Sequence, residues 1–314
     1  MTKTLSVEVY CKEHKSQWDQ FVGASKNGVF LFYRDYMEYH SDRFNDYSLV
    51  FFDSGNIAAV LPANVKDGVL FTHGGLTFGG VVSGQRMRTL LMLQIFDILL
   101  LHLREAKINK IVYKTIPCIY HKVPAGEDLY ALFRHNAKLT RRDVSSTIFL
   151  ERKLPFTKER RWSINKSKKA GLRIERSYDF KTFIAIEKDV LRRKYNVKPT
   201  HTAEELQLLA ERFPENIKLF AAFKDNVMVA GVIVYESENV AHTQYISSTD
   251  EGKKMCAIDS VLNFLITEYY MTKQYFDFGI STENEGRYLN GGLITQKEEF
   301  GASAVVYDTY ELEV

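Results

Sequence analysis

Cysteine and proline are scarce in this sequence. The three cysteines, Cys11, Cys118 and Cys256, are an odd number, and none stands in the CxxC spacing of a structural zinc site. A disulfide framework is therefore not expected, and a reducing compartment is favoured. Only six prolines occur, and no stretch is rich in glycine, serine or proline. Because such stretches form flexible linkers, any two domains are expected to pack together.

Long hydrophobic runs are missing as well. The most apolar window, residues 90–101, is shorter than the about 20 residues that cross a bilayer, and it contains Gln94 and Asp97. Residues 1–10 alternate polar and apolar side chains, as a first β-strand does, and they lack the apolar centre of a secretory signal. The sequence therefore predicts a cytoplasmic protein without a transmembrane segment.

The chain also has little net charge, since 42 basic and 39 acidic residues leave a formal charge of +3. Residues 134–176, however, contain 14 lysines or arginines and four acidic residues, a local charge of +10. This segment, called the basic belt below, can bind a phosphorylated precursor or the phosphates of CoA or tRNA. The alternative is a plain solvated surface. No helix-turn-helix or zinc-finger pattern accompanies the charge, so DNA is not an expected partner.

The order of predicted elements repeats along the chain. Each half is predicted as a strand, two helices, an antiparallel meander of three strands, a helix, a strand, a helix and a last strand. Hairpin turns at 54 and 225, long helices from 85 and 253, and final strands from 145 and 304 are separated by 171, 168 and 159 residues. The pattern predicts an α/β (α+β) fold of two tandem domains, residues 1–154 and 155–314.

Three segments of the C-terminal half carry a resemblance to a known family. Residues 160–172, RRWSINKSKKAGL, resemble the start of the second domain of Fem-type peptidyltransferases, and 275–279, YFDFG, followed by 290–294, NGGLI, and 297–301, KEEFG, resemble the end of that domain. The element order is similar to the GCN5-related N-acetyltransferase (GNAT) fold, and Fem-type proteins are tandem repeats of it. The resemblance implies two GNAT-like domains, each with a mixed, mostly antiparallel central sheet flanked by helices.

The resemblance also implies acyl transfer. An acyl group would pass from acyl-CoA or acetyl-CoA to an amine of a small or cell-envelope precursor, such as an amino sugar or a peptide. The alternative is a Fem-type peptidyltransferase that uses aminoacyl-tRNA, and acyl-CoA is preferred because the chain is too short for the helical arm of some Fem-type enzymes. Residues 248–255, STDEGKKM, retain only Gly252 of the CoA-binding pattern. A non-catalytic protein that binds a phosphorylated ligand therefore stays an alternative.

The donor is expected at the start of the second long helix. Unpaired backbone N–H groups and the positive end of the helix dipole attract phosphates there, and glycine permits a close approach. A backbone N–H near the end of the preceding strand would stabilise the oxyanion. The alternative is a solvated helix start with Thr249 or Asp250 as N-cap. The predicted donor-binding residues are Ser247, Gly252, Lys253, Lys254 and Met255.

Acyl transfer to an amine requires groups that move protons and stabilise an oxyanion. Tyr245, Glu283 and Tyr288 are candidates for proton transfer, and His242 for proton transfer or substrate binding. By the resemblance, Lys297 lies at the reaction centre in the C-terminal domain, where its charge stabilises the oxyanion. The alternative is a surface lysine on an amphipathic helix.

The remaining candidates concern the acceptor. The glycine-rich segment 73–80 lacks the GK[ST] ending of a phosphate-binding loop and is interpreted as a turn beside a cleft between the domains. Asn284 and Asn290 flank a turn, where asparagine is also favoured for its backbone conformation. The histidines are scattered without metal-ligand spacing, so no metal is expected. The predicted substrate-binding residues are Arg34, His73, Arg161, Lys166, His242, Asn284 and Asn290.

Overall fold

The computed structural model describes residues 5–314. The chain forms two compact units. The first contains the residues up to Asp143 together with Glu283–Tyr288 and Val306–Val314, and the second contains Val144–Thr282 and Leu289–Val305. The predicted boundary between residues 154 and 155 refers to the repeat in the sequence and stays a prediction.

The strands and helices that begin before the second unit confirm the predicted α/β (α+β) fold class. Five short 3₁₀ turns also occur, at Lys12–His14, Phe30–Phe32, Glu38–His40, Cys118–Tyr120 and Leu150–Arg152. The strands and helices, in chain order, are β1 (Leu5–Val9), α1 (Lys15–Ala24), α2 (Arg34–Met37), β2 (Leu49–Asp53), β3 (Asn56–Leu61), β4 (Asn64–Lys66), β5 (Val69–Phe71), β6 (Val82–Ser83), α3 (Thr89–Glu105), β7 (Lys110–Lys114), α4 (Glu127–Arg134) and β8 (Lys138–Phe149).

In the first unit, one predicted strand pairing is wrong. The predicted meander places β5 beside β3, but the observed partner of β3 on that side is β6, in the sheet β1-β2-β3-β6. Strand β5 pairs antiparallel with β4 and parallel with β7 instead. Pro62 directly follows β3 and has no N–H for a ladder, so the chain leaves the first sheet there and forms a new hairpin.

The remaining elements follow the predicted order with two additions, a helix before the first strand and a short hairpin before the last helix. The apolar periodicity predicts helices over 180–195 and 203–212, which are the bounds observed, and the predicted antiparallel meander of three strands after them is confirmed. The elements are α5 (Lys158–Lys169), β9 (Arg173–Ser177), α6 (Phe180–Tyr195), α7 (Ala203–Arg212), β10 (Ile217–Lys224), β11 (Val227–Glu236), β12 (Val240–Ser248), α8 (Asp250–Lys254), α9 (Ala257–Phe264), β13 (Tyr275–Ile280), β14 (Thr282–Glu283), β15 (Tyr288–Leu289), α10 (Gly291–Glu298) and β16 (Ser303–Glu313).

The central sheet of the second unit has helices on both faces. Its strands lie in the order β8-β13-β12-β11-β10-β9, with β12 and β13 parallel and the other neighbours antiparallel. Val232 and Val234 of β11 share a buried apolar cluster with Val261 of α9. On the opposite face, Phe183 of α6 packs on Gly231, where a Cβ atom would lie 2.7 Å from the ring. Helix α6 therefore covers the face opposite α9.

The sequence predicts one continuous helix over 253–272, and this prediction is wrong because the observed helix is interrupted. Helix α8 ends at Lys254, and Cys256 adopts the left-handed conformation with φ of 55° before α9 begins. A π-helical turn, Leu265–Tyr269, follows α9. A left-handed residue cannot continue the ladder of a right-handed helix, so the segment is divided. None of the helices within residues 5–314 has the length and apolar character that spanning a lipid bilayer requires.

Candidate functional site

The two parallel strands of the second unit separate part-way along their length. Strands β12 and β13 pair from Val240 with Tyr275 to His242 with Asp277. Beyond this point β12 continues to Ser248 on its other neighbour, β11, and β13 continues to Ile280. Polar side chains gather where the pairing ends, and this group is the candidate site.

Asp277 lies at the centre of the group. Its side chain is fully buried and accepts hydrogen bonds from His242 Nδ1 at 2.7 Å, Ser145 Oγ at 2.5 Å and Thr147 Oγ1 at 2.6 Å. Burial raises the pKa of Asp277, but these hydrogen bonds and the charge of His242 outweigh it, so the pKa is lowered. The carboxylate is therefore ionised and holds an imidazole proton on Nδ1 of His242. When the ring carries only that proton, its Nε2 can accept another.

Lys297 reaches the same region from α10. Its Nζ donates to the carbonyl oxygens of Gly279 and Ile280, each at 2.8 Å, and the side chain is only 7% exposed. Burial lowers the pKa of Lys297 to about 8, and Asp277 partly opposes the shift. The interpretation of Lys297 as a surface lysine is therefore wrong. An ammonium group carries three donors, so one N–H remains after the two carbonyl contacts.

A bulge places three polar residues of β12 on one face of the sheet. His242 pairs with Tyr235, Tyr245 with Ile233, and Ser247 with Gly231, so all three share the face that α6 covers. The odd spacing between His242 and Tyr245 is possible because the register shifts by one residue at Gln244. Alternate positions along a strand are about 7 Å apart, so the three side chains form a continuous polar stripe.

Two residues that sequence reasoning missed join this stripe. Glu187 of α6 is buried, and burial raises its pKa while the nearby Ser247 side chain partly opposes the shift. His201 lies just before α7, with Nδ1 2.5 Å from the hydroxyl oxygen of Tyr245. Glu187 continues the apolar spacing of Phe180 and Phe183 along α6, and a carboxylate in an apolar stripe was a usable signal. His201 had no comparable signal.

The predicted donor turn has a different surrounding. Thr249 is the N-cap of α8 and its side chain accepts from the Gly252 N–H at 3.0 Å. Asp250 holds Arg193 at 2.5 Å and Lys253 at 2.7 Å, and these contacts lower the pKa of Asp250 to about 2. Acidic groups at a helix start compete with a bound phosphate. Lys254 is exposed and, like the other donor-site assignments, stays a prediction.

Gly252 has a packing role whether or not a donor binds. A Cβ atom on Gly252 would lie 2.2 Å from the carbonyl oxygen of Val229 and 2.5 Å from Ser248 Oγ. The glycine therefore lets α8 pack on strand β11. Met255, the last residue of the predicted donor turn, is half-buried at the end of α8.

Asn284 and Asn290 each have a structural role in the turn before α10. Asn290 is the N-cap of α10 and accepts from the Leu293 N–H at 3.1 Å, and Asn284 has a positive φ of 49°. Glu283 and Tyr288 are exposed on the hairpin of β14 and β15, with 53% of Tyr288 accessible. Substrate binding or proton transfer by these four residues stays a prediction.

Arg34 and His73 are buried in the first unit. Arg34 is 2% exposed and binds Glu38 at 3.0 Å, Asp46 at 2.5 Å and Ser48 at 3.2 Å. These contacts satisfy most of its donors, so a substrate anion would have to displace a carboxylate. Burial lowers the pKa of His73 to about 3, with further lowering by His40 and Lys114. The acceptor-binding assignments stay predictions.

The basic belt is partly neutralised within the protein. Arg141 and Arg142 bind Asp143 and Asp308, and Arg160 binds Asp259 and Glu299. The exposed cations of α5 differ, because Lys158, Lys166, Lys168 and Lys169 have no acidic partner within 4 Å among residues 5–314. Arg161 is exposed and donates to the Phe156 carbonyl at 2.6 Å. Trp162 is 62% exposed, and Lys166 Nζ lies 5.4 Å from its ring centroid.

Comparisons with known proteins identify the fold. No protein-family model and no curated protein matches the sequence. The structure of FemX matches at 12% identity with a TM-score of 0.68, and the match covers 96% of each chain. L-PGS from Bacillus licheniformis matches at 11% identity and a TM-score of 0.60, over 97% of this chain and 92% of that one.

A third match extends the comparison. A tandem GNAT protein from the clavulanic acid biosynthesis pathway matches at 11% identity and a TM-score of 0.51, over 99% of this chain and 98% of that one. The predicted tandem GNAT-like, Fem-type fold is confirmed. At these identities the similarity establishes the fold, and the fold alone does not determine the reaction.

Proposed function

We propose that this protein is a transferase that moves an acyl or aminoacyl group from an activated donor to an amine. The observation that carries the proposal is the buried group of Lys297, Asp277 and His242 at the point where β12 and β13 separate. A buried lysine whose pKa falls to about 8, beside an ionised aspartate, is typical of reaction centres.

The three side chains supply the chemistry that acyl transfer needs. Lys297 remains mostly protonated at pH 7, and its remaining N–H stabilises the negative oxygen of the tetrahedral intermediate. His242 accepts at Nε2 the proton that the ammonium group of the acceptor loses before attack, while Asp277 holds the ring and balances the imidazolium charge. His242 releases that proton to water. The tetrahedral intermediate loses a second proton from the amine nitrogen, and the leaving thiolate or hydroxyl oxygen of the donor takes one up.

The acceptor class follows from the sequence resemblance. We propose an amine of a small or cell-envelope precursor, with an amino sugar and a peptide amine as the first acceptors to test. The test uses acetyl-CoA and alanyl-tRNA, each labelled in the transferred group, with glucosamine and a lysine-containing peptide. Appearance of label on an acceptor supports the proposal. Failure of the wild-type protein to transfer label from either donor to either acceptor would contradict it.

The role of Lys297 is tested with a matched lysine. Substitution K297M removes the ammonium group and keeps the length of the side chain, and a loss of about 100-fold or more in kcat is expected. K188A, an exposed lysine on α6 outside the site, is the control and should retain wild-type activity. A K297M protein that is folded and fully active would remove Lys297 from the mechanism.

Acyl-CoA is the donor that the chain length favours. Titration calorimetry with acetyl-CoA and longer acyl-CoAs measures this directly. Because Asp250 occupies Arg193 and Lys253, a D250A substitution should strengthen CoA binding if the phosphates lie at α8. Absence of heat with every acyl-CoA, in both wild type and D250A, would exclude this donor.

Aminoacyl-tRNA is the second candidate donor, and the surface of α5 favours it. Lysines without acidic partners bind phosphates, and the exposed Trp162 offers a ring on which a base can stack. Binding of alanyl-tRNA to K166A/K168A is compared with K181A/K188A on α6, as salt is varied. The logarithmic salt slope should fall by about 0.9 for each phosphate that α5 no longer neutralises, and an unchanged slope would exclude this surface.

A further inference from the structure

A tyrosine and a histidine form a hydrogen-bonded pair beside the candidate reaction centre. Tyr245 lies on the same sheet face as His242, one side-chain repeat further along β12, at about 7 Å. Its ring is half-buried, whereas His201 is only 7% exposed. The hydroxyl oxygen of Tyr245 is 2.5 Å from His201 Nδ1, and the rings meet edge to face at a centroid distance of 5.8 Å.

The backbone holds both members of the pair in place. Tyr245 belongs to the central meander and is paired with Ile233 of β11. His201 directly precedes Thr202, the N-cap of α7, where Thr202 and Glu205 form a reciprocal capping box at 3.1 and 2.8 Å. The capping box fixes the start of α7 one residue after His201, and the contact at Nδ1 shows that the imidazole faces the sheet. The contact therefore joins the bend before α7 to strand β12 of the second unit.

We propose that His201 is a positioning residue that receives the proton of Tyr245 during transfer, and that Tyr245 exchanges protons with the substrates. This inference rests on the proposed function. At neutral pH a phenol is protonated and donates, so Nδ1 of a neutral His201 accepts and its own proton lies on Nε2. The pair is thus arranged so that the phenol oxygen can accept one proton as it releases another.

The step conserves protons and electrons. The amine nitrogen forms a bond to the acyl carbon and passes a proton to the phenol oxygen of Tyr245, which passes its own proton to His201 Nδ1. The tetrahedral intermediate then collapses, and the bond between the acyl carbon and the donor sulfur or oxygen breaks. The proton returns through Tyr245 to that sulfur or oxygen, and His201 becomes neutral again. No further reactant is needed.

The route shares the sheet face with the other titratable groups near the pair. His242 and Asp277 lie on β12 and β13, and Glu187 faces Ser247 from α6. Glu187 is therefore a competing proton acceptor, and an E187Q variant tests its contribution. The alternative is a purely structural role, in which the contact between Tyr245 and His201 only ties the segment before α7 to the sheet.

The first measurement is spectroscopic and needs no substrate. In protein labelled with ¹⁵N in its histidines, the His201 signals are assigned with H201N. We expect a neutral His201 with the proton on Nε2, and a downfield movement of the Nδ1 signal in Y245F, which cannot donate the hydrogen bond. Protonated Nδ1 in the wild type, or an unchanged Nδ1 signal in Y245F, overturns the proposal.

The second measurement is kinetic, with acetyl-CoA or alanyl-tRNA as donor. Y245F and H201A should lower kcat about 100-fold with little change in KM. H201N separates the two roles, because the Asn Oδ1 replaces Nδ1 as an acceptor but takes up no proton. We expect H201N to lose as much activity as H201A, and E187Q to lose much less.

A second hydrogen-bonded pair in the first unit is the control. Tyr47 Oη lies 3.2 Å from His102 Nε2, and H102N and Y47F should keep wild-type kcat. A folded H201N variant with wild-type kcat would show that the contact is structural. That result would overturn the proton transfer through Tyr245 and His201 but would leave the proposed transferase function standing. A wild-type protein inactive with both donors defeats the proposed function, and the role of the pair falls with it.

Discussion

His242 and Asp277 are joined both through the backbone and through their side chains. They are neighbours in the parallel register of β12 and β13, and the imidazole Nδ1 lies 2.7 Å from the aspartate Oδ2. Because this register ends at the same two residues, the hydrogen bond lies where the strands separate. The pairing of the two strands thus holds the Asp277 carboxylate at the point where β12 and β13 separate.

Substitution D277N is expected to reverse the tautomer of His242. An asparagine whose oxygen accepts from Ser145 and Thr147 presents its NH₂ group to the imidazole, so Nδ1 must become an acceptor and Nε2 carries the proton. Histidine ¹⁵N spectra measure the change, and transfer activity should fall about 100-fold. A His242 that keeps its proton on Nδ1 in D277N would show that Asp277 does not control the ring.

Lys297 should titrate near pH 8. Its pKa in the folded protein is about 8, whereas an exposed lysine has a pKa of about 10.4. Between these values the unfolded chain binds more protons, so the free energy of unfolding gains a contribution that rises with pH. The stability of wild type relative to K297M should therefore improve from pH 8 to pH 10, as measured by urea unfolding. A constant difference would contradict the assigned pKa.

His73 should make the protein sensitive to acid. Its pKa is lowered to about 3 in the fold, against about 6.5 in the unfolded chain. The contribution is present above pH 6.5 and is lost as the pH falls toward 3, since the unfolded chain takes up the proton first. H73N suits the positive φ of 61° and removes the titration. Its free energy of unfolding should fall less than that of wild type between pH 6.5 and 4.5.

Gly231 should tolerate no side chain. A Cβ atom there would lie 2.7 Å from the fully buried ring of Phe183, so G231A forces α6 away from the polar stripe of β12. Overpacking of this kind costs about 1–3 kcal/mol of unfolding free energy. G291A is the control, because apart from its chain neighbours and the backbone of its own helix no described atom lies within 4 Å of its Cβ position. Equal stability of the two variants would show that α6 does not pack as described.

Local signals predicted much of this chain. Helix α7 begins and ends at the predicted residues because Thr202 and Glu205 cap it and Leu206 and Leu209 form its apolar side. The hairpin turns were also correct, since Asp225 and Asn226 have the positive φ values that asparagine and aspartate accept readily. The break at Cys256 was missed, because cysteine carries no preference for a left-handed conformation.

The candidate site depended on contacts between distant residues. The sequence placed His242, Tyr245 and Ser247 on one strand, but regular alternation would put His242 on the face opposite the other two. The shift at Gln244 brings all three to one face. It is a property of the pairing with β11 rather than of any local signal.

The sequence by itself determined the order of helices and strands, the tandem arrangement and the importance of Lys297 as a candidate. Only the tertiary structure decided that Lys297 is buried, that Ser145 and Thr147 hold Asp277, and that His201 meets Tyr245. Capping, turn chemistry and apolar periodicity act between near neighbours and can be recognised in the sequence. The contacts of the site join residues 17 to 132 positions apart, and only packing of the whole unit sets them.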